Sequence, residues 1–384
     1  MHAPLTVLPL HLSQIVLYPF ALLGAALLLV VLTRLTRQHA PYVKGELSLV
    51  IVLTLGMSIR YWNRDLLECL INLFLVALAW LAVYQWTKHR EWWGGLSLGL
   101  AIAMKCTAAL FIPYFLLKRQ WKMAMTSILF AGLFTLSPVI TYGPSGFYRQ
   151  MEIWTGTVIT GVTQSDPLTG VLGEESFKNM SLRPAMGRYL MRLPEGHRGR
   201  VDHPLWVDLL DLSTGQARWL IRIAMLALIL WAGHAMRARA TDRTHPAILW
   251  ECAAISLLML LYSPLTWGQH CVGVIPACFL IVRTWVRREQ LPIRLNALVY
   301  CFLCATLLLN PTFLDKHVAR AIETYRPETL AIIGLLVVVL ACQARARRPR
   351  QRAKHGGPVH AGLKHPRRDS NPRPSAPEAD ALSN

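Results

Sequence analysis

Charged residues are scarce in this sequence, and the acidic ones are scarcest. Only 16% of the 384 residues are charged, and 21 Asp and Glu stand against 40 Lys and Arg. A further 54% are hydrophobic, and many of them fall in runs long enough to cross a bilayer. This composition excludes a soluble domain built around one core. It predicts an all-α protein that crosses the membrane many times.

The positive charge lacks the arrangement that nucleic-acid binding requires. The net charge is +19, and residues 345–384 supply seven of those charges, with ten Lys and Arg against three Asp and Glu. Most of the others lie in short loops, as cytoplasmic loops facing anionic lipids do, and no basic stripe is interleaved with aromatics. We therefore expect membrane lipids, and no nucleic acid, as partners. Residues 345–384 have too little apolar content to fold and are predicted to be a disordered basic cytoplasmic tail.

The sequence also lacks a disulfide framework. Its eight cysteines all lie in apolar segments, where cysteine behaves as a small packing residue. Cys301-x-x-Cys304 is a lone pair on a predicted span, without the second pair that a zinc site needs. Because no cluster of His, Asp and Glu suggests a metal either, we expect no metal and no cofactor.

The N-terminus lacks the features of a signal peptide, since residues 1–14 contain no Lys or Arg and no small-residue cleavage site. The apolar runs and the Lys/Arg clusters between them predict nine full spans, with the N-terminus outside and the C-terminus in the cytoplasm. These form a multi-span domain over residues 1–344 with an external loop at 142–217, in which 147–158 predicts a short amphipathic surface helix. The predicted spans are 15–33, 46–59, 66–86, 121–140, 219–236, 246–262, 271–285, 294–309 and 328–344.

A single lysine interrupts the apolar stretch EWWGGLSLGLAIAMKCTAALFIPYFLLKRQWK, residues 91–122. In one straight helix Lys105 would lie near the bilayer midplane, at a cost of at least ~2.5 kcal/mol. Basic clusters flank both ends, and one straight span cannot leave both of them in the cytoplasm. Two half-helices that turn near Lys105 can leave both clusters in the cytoplasm, which predicts a re-entrant helical hairpin. Its tip offers an ammonium to phosphate or carboxylate. The alternative is a lysine whose head snorkels to the interface from a helix end.

Under this topology three more segments fall on the outer side with the hairpin tip: residues 60–68 (RYWNRDLLE), the loop 142–217, and residues 263–270 (SPLTWGQH). Trp267 suits either an aromatic belt at the membrane boundary or stacking on a sugar or prenyl chain. Residues 60–68 predict either a solvated ring of charges or a wall of an active site. The charged residues among them are Arg60, Arg64, Asp65 and Glu68.

Four motifs resemble glycosyltransferase family 87, of the glycosyltransferase-C superfamily. GGLSLGLAIAMKCTAALFIPYFLLKRQWKMA resembles the superfamily's glycine-rich hairpin turned at a lysine, and SPLTWGQH resembles the family's Ser-Pro-x-Ser-Trp-x-His-His element. NMSL, residues 179–182, is similar to an Asn-x-Ser-Leu segment of the long external loop, and LLECLINLFLV to a Gly-Gln-x-Asn span in which Asn72 is retained. The resemblance runs from about residue 15 to 344. It implies a bacterial plasma-membrane enzyme whose donor is polyprenyl-phosphate-mannose or a related polyprenyl-phosphate sugar.

The resemblance and the chemistry of the reaction together imply the site residues. Transfer from a lipid phosphate needs a base for the acceptor hydroxyl, and cations or hydrogen-bond donors for the departing phosphate. We expect a hexose, mannose by the resemblance, to pass to a lipid or glycan acceptor on the extracytoplasmic side. The implied roles are catalysis by Asp65, Glu68 and His270, phosphate binding by Lys105, Arg183, Arg188 and Gln269, and substrate binding by Asn72, Asn179, Ser181 and Trp267.

The sequence departs from the family pattern in two ways. Family members begin with an extra span and an external loop carrying an acidic residue, the expected base, and this chain shows neither. We therefore expect a start site placed too late or a truncated gene. Gln269 and His270 stand where the family has His-His, so one imidazole remains, and Gln cannot carry charge or shuttle a proton.

Two other functions stay open. A transporter or flippase for an anionic lipid or solute would also use broken helices and buried cations, although no internal repeat supports it. A non-catalytic relative of the family is the second, because the base is missing and one histidine is replaced.

Overall fold

The computed structural model describes residues 10–156, 166–168, 179–193, 195, 209–308 and 314–348, and all the regular structure within them is helical. The chain divides into two compact units, residues 1–347 and 348–384. The predicted basic tail lies outside the described residues from position 349 onward.

The helices fall in chain order as α1 (Leu10–Arg37), α2 (Glu46–Met57), α3 (Ile59–Leu67), α4 (Asn72–Thr87), α5 (Glu91–Met104), α6 (Phe111–Leu117), α7 (Trp121–Leu136), α8 (Val139–Thr155), α9 (Leu182–Leu190), α10 (Thr214–Ala235), α11 (Pro246–Tyr262), α12 (Ile275–Val286), α13 (Ile293–Leu303), α14 (Lys316–Thr324) and α15 (Pro327–Arg347). A 3₁₀ turn at Cys106–Leu110 precedes α6, and another at Gly268–Val274 precedes α12. A π turn at Cys304–Leu308 follows α13.

The apolar helices fit a membrane protein. Four segments in the described part of the chain are long and apolar enough to cross a bilayer: Val16–Arg37, Thr214–Ala235, Gly268–Val286 and Pro327–Arg347. The bent pairs α3 with α4 (117°) and α7 with α8 (89°) raise the number to six if each pair is one span. Three of the nine predicted spans coincide with apolar helices of only 10–17 residues, namely α2, α11 and Ile293–Leu308, so nine full spans are not confirmed.

The central helix α11 begins and packs as its sequence dictates. Pro246 occupies the first turn, where its missing N–H costs no hydrogen bond, and the His245 ring accepts a hydrogen bond from the Ala247 N–H at 3.2 Å. The helix is hydrophobic around its whole circumference, which predicts burial on all sides. Nearly all of its residues are buried, and α15 is its main neighbour.

Close contact between α5 and α7 depends on glycine. A Cβ on Gly95 would lie 2.4 Å from Oγ1 of Thr126, and one on Gly99 would lie 2.7 Å from the backbone nitrogen of Ala131. No larger side chain fits at either position without moving one of the helices. The glycine-rich sequence therefore fixes the distance between α5 and α7, and with it the end of α5, where Lys105 follows.

The helical stretch is broken at Lys105, and the predicted re-entrant hairpin is not itself confirmed. The backbone of Lys105 is extended (φ −150°, ψ 109°) between the end of α5 and the following 3₁₀ turn. Glu91 and Lys118 lie near the two ends of the 91–122 stretch, and both contact the connection between α10 and α11. Glu91 accepts from Arg243 at 2.8 Å, and Lys118 donates to the carbonyl of Ala238 at 2.8 Å.

A buried carboxylate joins α6, α11 and α15. Glu251 of α11 is fully buried and lies 2.8 Å from the equally buried ammonium of Lys118. It also accepts from Arg347 at 2.6 Å and from Gln343 at 3.0 Å. Buried charges are tolerated when they are paired and hydrogen-bonded, so this cluster holds three helices in one arrangement.

Helix α8 covers most of the predicted amphipathic helix. The backbone is non-helical at Gly143 (φ 69°, ψ 171°), a left-handed conformation that glycine adopts freely, and the helix then runs to Thr155. Residues 157 and 158 lie outside the described residues.

Candidate active site

Residues 263–270, here called the 263–270 segment, connect α11 to the turn before α12. The Asn179 side chain makes three hydrogen bonds to backbone atoms, two of them in this segment. Its Nδ2 donates to the carbonyl of Pro264 at 3.1 Å, and its Oδ1 accepts from the N–H groups of Thr266 at 3.0 Å and Ser181 at 3.1 Å. The N–H of Met180 also donates to the Thr266 carbonyl at 2.6 Å. Both motifs that resemble the family in this region are thus joined to each other.

A first cavity, the lysine cavity, lies between α4, the Lys105 break and α11. Lys105 Nζ is 3.3 Å from Oδ1 of Asn72, whose Nδ2 donates to Asp65 Oδ1 at 2.7 Å. The other Asp65 oxygen accepts from the N–H of Leu73 at 2.9 Å. The polar residues lining this mainly apolar cavity are Asn72, Lys105, Thr107, Ser256, Ser263, Thr266 and His270.

His270, the last residue of the 263–270 segment, lines the lysine cavity. Its Nδ1 lies 3.1 Å from the Trp267 N–H and 3.2 Å from the Leu265 carbonyl. Within the described residues both contacts use Nδ1, so Nε2 is the nitrogen available to a ligand. The cavity volume is about 30 Å³, room for roughly two waters. It admits a hydroxyl or a phosphate oxygen, and a whole sugar is too large for it.

A second cavity, the charged cavity, lies on the other side of the 263–270 segment and has a volume of about 270 Å³. Arg60 forms ion pairs with Glu328 and, at 3.6 Å, with Glu323. Arg64 bonds to Glu68 at 2.8 Å. The residues lining this cavity are Arg60, Arg64, Glu68, Met180, Trp267, Gly268, Gln269, Glu323, Arg326 and Glu328.

Nε1 of Trp267 and Oε1 of Gln269, both in residues that line the charged cavity, are buried and have no hydrogen-bond partner among the described residues. The Gln269 side chain belongs to a residue that is only 4% exposed. The Trp267 ring stacks on His270, with an interplanar angle of 5° and centroids 6.0 Å apart. Trp267 lines the charged cavity and His270 lines the lysine cavity, so the two cavities adjoin at this pair of rings.

A third cavity, the arginine cavity, has a volume of about 300 Å³ and is lined by Arg183, Arg218 and Arg222. Ser263 lines both this cavity and the lysine cavity. Burial lowers the pKa of Arg183, and the positive charges of Arg218 and Arg222 lower it further, while Asp166 acts in the opposite direction. The three arginines are the charged residues in the described part of this lining, an arrangement that suits an anion. The cavity adjoins α10, and only 17% of the residues in the most apolar part of that helix are buried.

The predicted site residues separate into three groups. Lys105, Asn72 and His270 meet in the lysine cavity. Glu68, Gln269 and Trp267 meet in the charged cavity, and Arg183 lines the arginine cavity. None of these three cavities is lined by Asp65, Arg188, Asn179 or Ser181.

The residues outside the cavities have contacts of their own. Asp65 is fully buried behind Asn72. Arg188 is also fully buried; its Nε donates to the Thr324 carbonyl at 3.1 Å, and its guanidinium lies 5.0 Å from the centre of the Tyr325 ring. The roles predicted for Asp65 in catalysis, for Arg188 with phosphate, and for Asn179 and Ser181 with substrate stay predictions.

Sequence reasoning missed several lining residues. Arg218 and Arg222 are four residues apart and share one face of α10, a spacing that could have drawn attention to them. Glu323, Arg326 and Glu328 reach the charged cavity only through the tertiary fold, and no local pattern marks them. No group of three His, Cys, Asp or Glu side chains suited to a metal ion occurs among the described residues.

Comparison with known proteins identifies the family. The sequence model of glycosyltransferase family 87 matches residues 1–264, more than half of the chain. The chain belongs to glycosyltransferase family 87. The match ends before the limit of residue 344 that the motifs predicted. No solved structure matches the chain.

Two curated proteins are similar to this family 87 chain. Both are named polyprenol-phosphate-mannose-dependent alpha-(1-2)-phosphatidylinositol mannoside mannosyltransferase. The protein from Mycolicibacterium smegmatis is 29% identical over 236 residues, covering 60% of this chain and 46% of the relative. The one from Mycobacterium tuberculosis is 30% identical over 247 residues, covering 64% and 48%. The chain thus spans about half the length of the curated relatives it matches.

Proposed function

We propose that this protein transfers a mannosyl group from polyprenyl-phosphate-mannose to a lipid or glycan acceptor on the extracytoplasmic side of the bacterial plasma membrane. Membership of family 87 and the donor named for both relatives support this proposal. The observation that carries it is the lysine cavity, where an ammonium held by Asn72 and an imidazole with a free Nε2 meet in an apolar space.

The reaction makes two demands on such a site. The acceptor hydroxyl oxygen bonds to C1 of the mannosyl group, the bond from C1 to the phosphate oxygen breaks, and the electron pair stays on the phosphate. The hydroxyl proton passes to a base. Lys105 and the Nε2 of His270 stabilise one oxygen of the departing phosphate, since fixed charges are most effective in a site that excludes water.

Of the two carboxylates predicted as the base, Glu68 is the better placed. Asp65 commits both oxygens to Asn72 and Leu73, whereas Glu68 lines the charged cavity and its side chain is 37% exposed. We therefore propose Glu68 as the base and Asp65 as the residue that orients Asn72.

The arginine cavity completes the proposed donor path. Arg183, Arg218 and Arg222 form a cationic wall beside the apolar, largely uncovered α10. A lipid phosphate approaching from the bilayer meets these guanidiniums first, while its chain stays against the helix. Arginine suits this task because its planar fork binds two phosphate oxygens at once.

The proposed topology keeps nine full spans and a re-entrant hairpin at residues 91–122. Contacts of both ends, Glu91 and Lys118, with the connection between α10 and α11 support the hairpin, because a straight span would put them on opposite faces. In a variant without native cysteines, a cysteine at 166 should react with an impermeant reagent from outside. A cysteine at 241 should react only after permeabilisation. The reverse pattern contradicts the proposed side of the site.

The activity is tested with the full chain in nanodiscs, polyprenyl-phosphate-[¹⁴C]mannose as donor and phosphatidylinositol mannosides as acceptors. We expect radiolabel in the acceptor lipid and an equal amount of released polyprenyl phosphate. If the donor binds and no transfer occurs with any acceptor, the chain is a non-catalytic relative. If the same protein in liposomes moves phospholipid between leaflets and transfers no sugar, it is a flippase.

A further inference from the structure

The proposed donor contacts leave the charged cavity unused. Its volume is about 270 Å³, against about 30 Å³ for the lysine cavity. The two cavities adjoin at the stacked rings of Trp267 and His270. A ligand in the charged cavity therefore lies next to the residues proposed to hold the phosphate.

The charges around this cavity balance. Its lining carries three arginines and three glutamates. Arg60 is paired with Glu328 and Glu323, and Arg64 with Glu68. In the arginine cavity, in contrast, three arginines are the charged residues in the described part of the lining. The balanced cavity does not favour an anion, and its many fixed donors and acceptors suit a neutral, hydroxyl-rich ligand.

Two buried groups point to the ligand's chemistry. Oε1 of Gln269 is an acceptor and Nε1 of Trp267 is a donor, and neither has a partner in the part of the chain that the structure describes. Buried polar atoms are nearly always hydrogen-bonded, so an orphaned pair in a cavity wall calls for a ligand that supplies both functions. A sugar hydroxyl donates to one and accepts from the other, and the indole ring offers an apolar surface to the C–H face of a hexose.

We propose that the charged cavity binds a neutral hexose of the acceptor, with Gln269 and Trp267 as its direct contacts. This inference rests on the proposed function, because it assigns the second substrate of the same transfer. Glu68, the proposed base, lines this cavity, so the hydroxyl to be deprotonated and its base are in one place. The proposal assigns Gln269 to the acceptor sugar, in place of the phosphate contact that the sequence predicts for this residue.

Binding of methyl α-D-mannopyranoside to the full chain in nanodiscs tests the proposal, measured by saturation-transfer NMR. Binding of polyprenyl phosphate is measured separately on the same samples. Gln269→Leu keeps the size and removes the amide; Trp267→Phe keeps an aromatic ring and removes the N–H. Each should weaken mannoside binding by about tenfold, the value of one lost hydrogen bond of ordinary strength. Both should leave polyprenyl phosphate binding unchanged, and Lys105→Met should have the opposite pattern.

The outcomes distinguish this inference from the proposed function. Mannoside binding that is absent in the parent, or unchanged in both cavity variants, overturns the inference while donor binding and transfer stand. A parent protein that binds no polyprenyl phosphate overturns the proposed function and leaves the sugar site standing.

A second test does not depend on the folding of Gln269→Leu. It uses Arg64→Gln at a more exposed part of the cavity wall, where the Arg64 side chain is 41% exposed. Tighter binding of inorganic phosphate than of mannoside in the parent, lost in Arg64→Gln, would make this an anion site and contradict the proposal.

Discussion

The side-chain ammonium of Lys105 lies 3.3 Å from Oδ1 of Asn72. Asn72 can offer that oxygen because its amide nitrogen is held by Asp65 at 2.7 Å. The three residues form a chain from a buried carboxylate at the start of α4 to an ammonium at the break after α5. Each of the following predictions depends on this chain or on the helices that hold it.

Exchanging the first two members of the chain tests whether Asp65 acts through Asn72. Asp65→Asn leaves one acceptor oxygen for two donors, Nδ2 of Asn72 and the N–H of Leu73, so one of them faces an amide NH2 and we expect transfer to fall about tenfold or more. The double variant Asp65→Asn with Asn72→Asp restores a hydrogen bond between them and gives Lys105 a carboxylate partner. We expect it to recover much of the activity. If Asp65 is itself the base, the double variant stays as inactive as the single one.

His270→Ala removes the proposed donor to the leaving phosphate. Turnover should fall by about 100-fold or more, the usual contribution of a general acid–base or electrostatic group. His89→Asn serves as the control, since His89 is exposed with φ 58°, a conformation that asparagine tolerates. Near-parental turnover of a well-expressed His270→Ala protein would show that His270 only supports the 263–270 segment.

A matched pair of glycine substitutions tests the packing that places Lys105. Gly99→Ala puts a methyl group against the backbone of α7, and we expect a loss of about 1–3 kcal/mol in unfolding free energy. Gly132 has open space around its Cβ position, so Gly132→Ala should gain about 0.5–1 kcal/mol from helix propensity. Thermal unfolding in detergent measures both. Equal effects of the two substitutions would show that α5 and α7 do not pack closely.

Glu251→Ala leaves the fully buried ammonium of Lys118 without its carboxylate. Removing one partner of a buried ion pair costs about 3–5 kcal/mol. Glu152→Ala, at an exposed position of α8, should change stability by less than about 0.5 kcal/mol. Adding Lys118→Met to Glu251→Ala removes the stranded charge and should recover part of the loss. An unfolding midpoint of Glu251→Ala equal to that of the control would contradict the buried pair.

The sequence predicts the lysine cavity better than the other two, for a physical reason. A charge in an apolar run is costly enough to stand out locally, so Lys105 and the break beside it could be found from composition alone. The all-helical class follows from the same apolar runs. The number of membrane spans could not be predicted from these runs. Helices α2 and α11 are apolar but short, and a helix buried in a bundle has the same apolar pattern as a membrane span.

The charged cavity could be predicted only in part. Residues 60–68, 142–217 and 263–270 were predicted to lie on one side of the membrane, but no local pattern connects them with Glu323, Arg326 and Glu328. Arg60 pairs with Glu328 at the start of α15, and an arginine or glutamate at a helix end is ordinary in isolation. Asn179 was predicted to bind substrate from its motif. Its hydrogen bonds to the 263–270 segment join distant positions, so the motif alone did not indicate them, and its substrate role stays a prediction.

The central claim is that Lys105 binds the phosphate of the lipid-linked donor, and binding of polyprenyl phosphate to Lys105→Met tests it most directly. The substitution keeps the approximate length of the side chain and removes its charge, so folding and membrane insertion should be intact. Lys122→Met is the control, because the Lys122 side chain is 63% exposed. We predict that Lys105→Met loses binding, that Lys105→Arg retains part of it, and that Lys122→Met matches the parent. If Lys105→Met binds polyprenyl phosphate as tightly as the parent, Lys105 is not a phosphate ligand and the account is wrong.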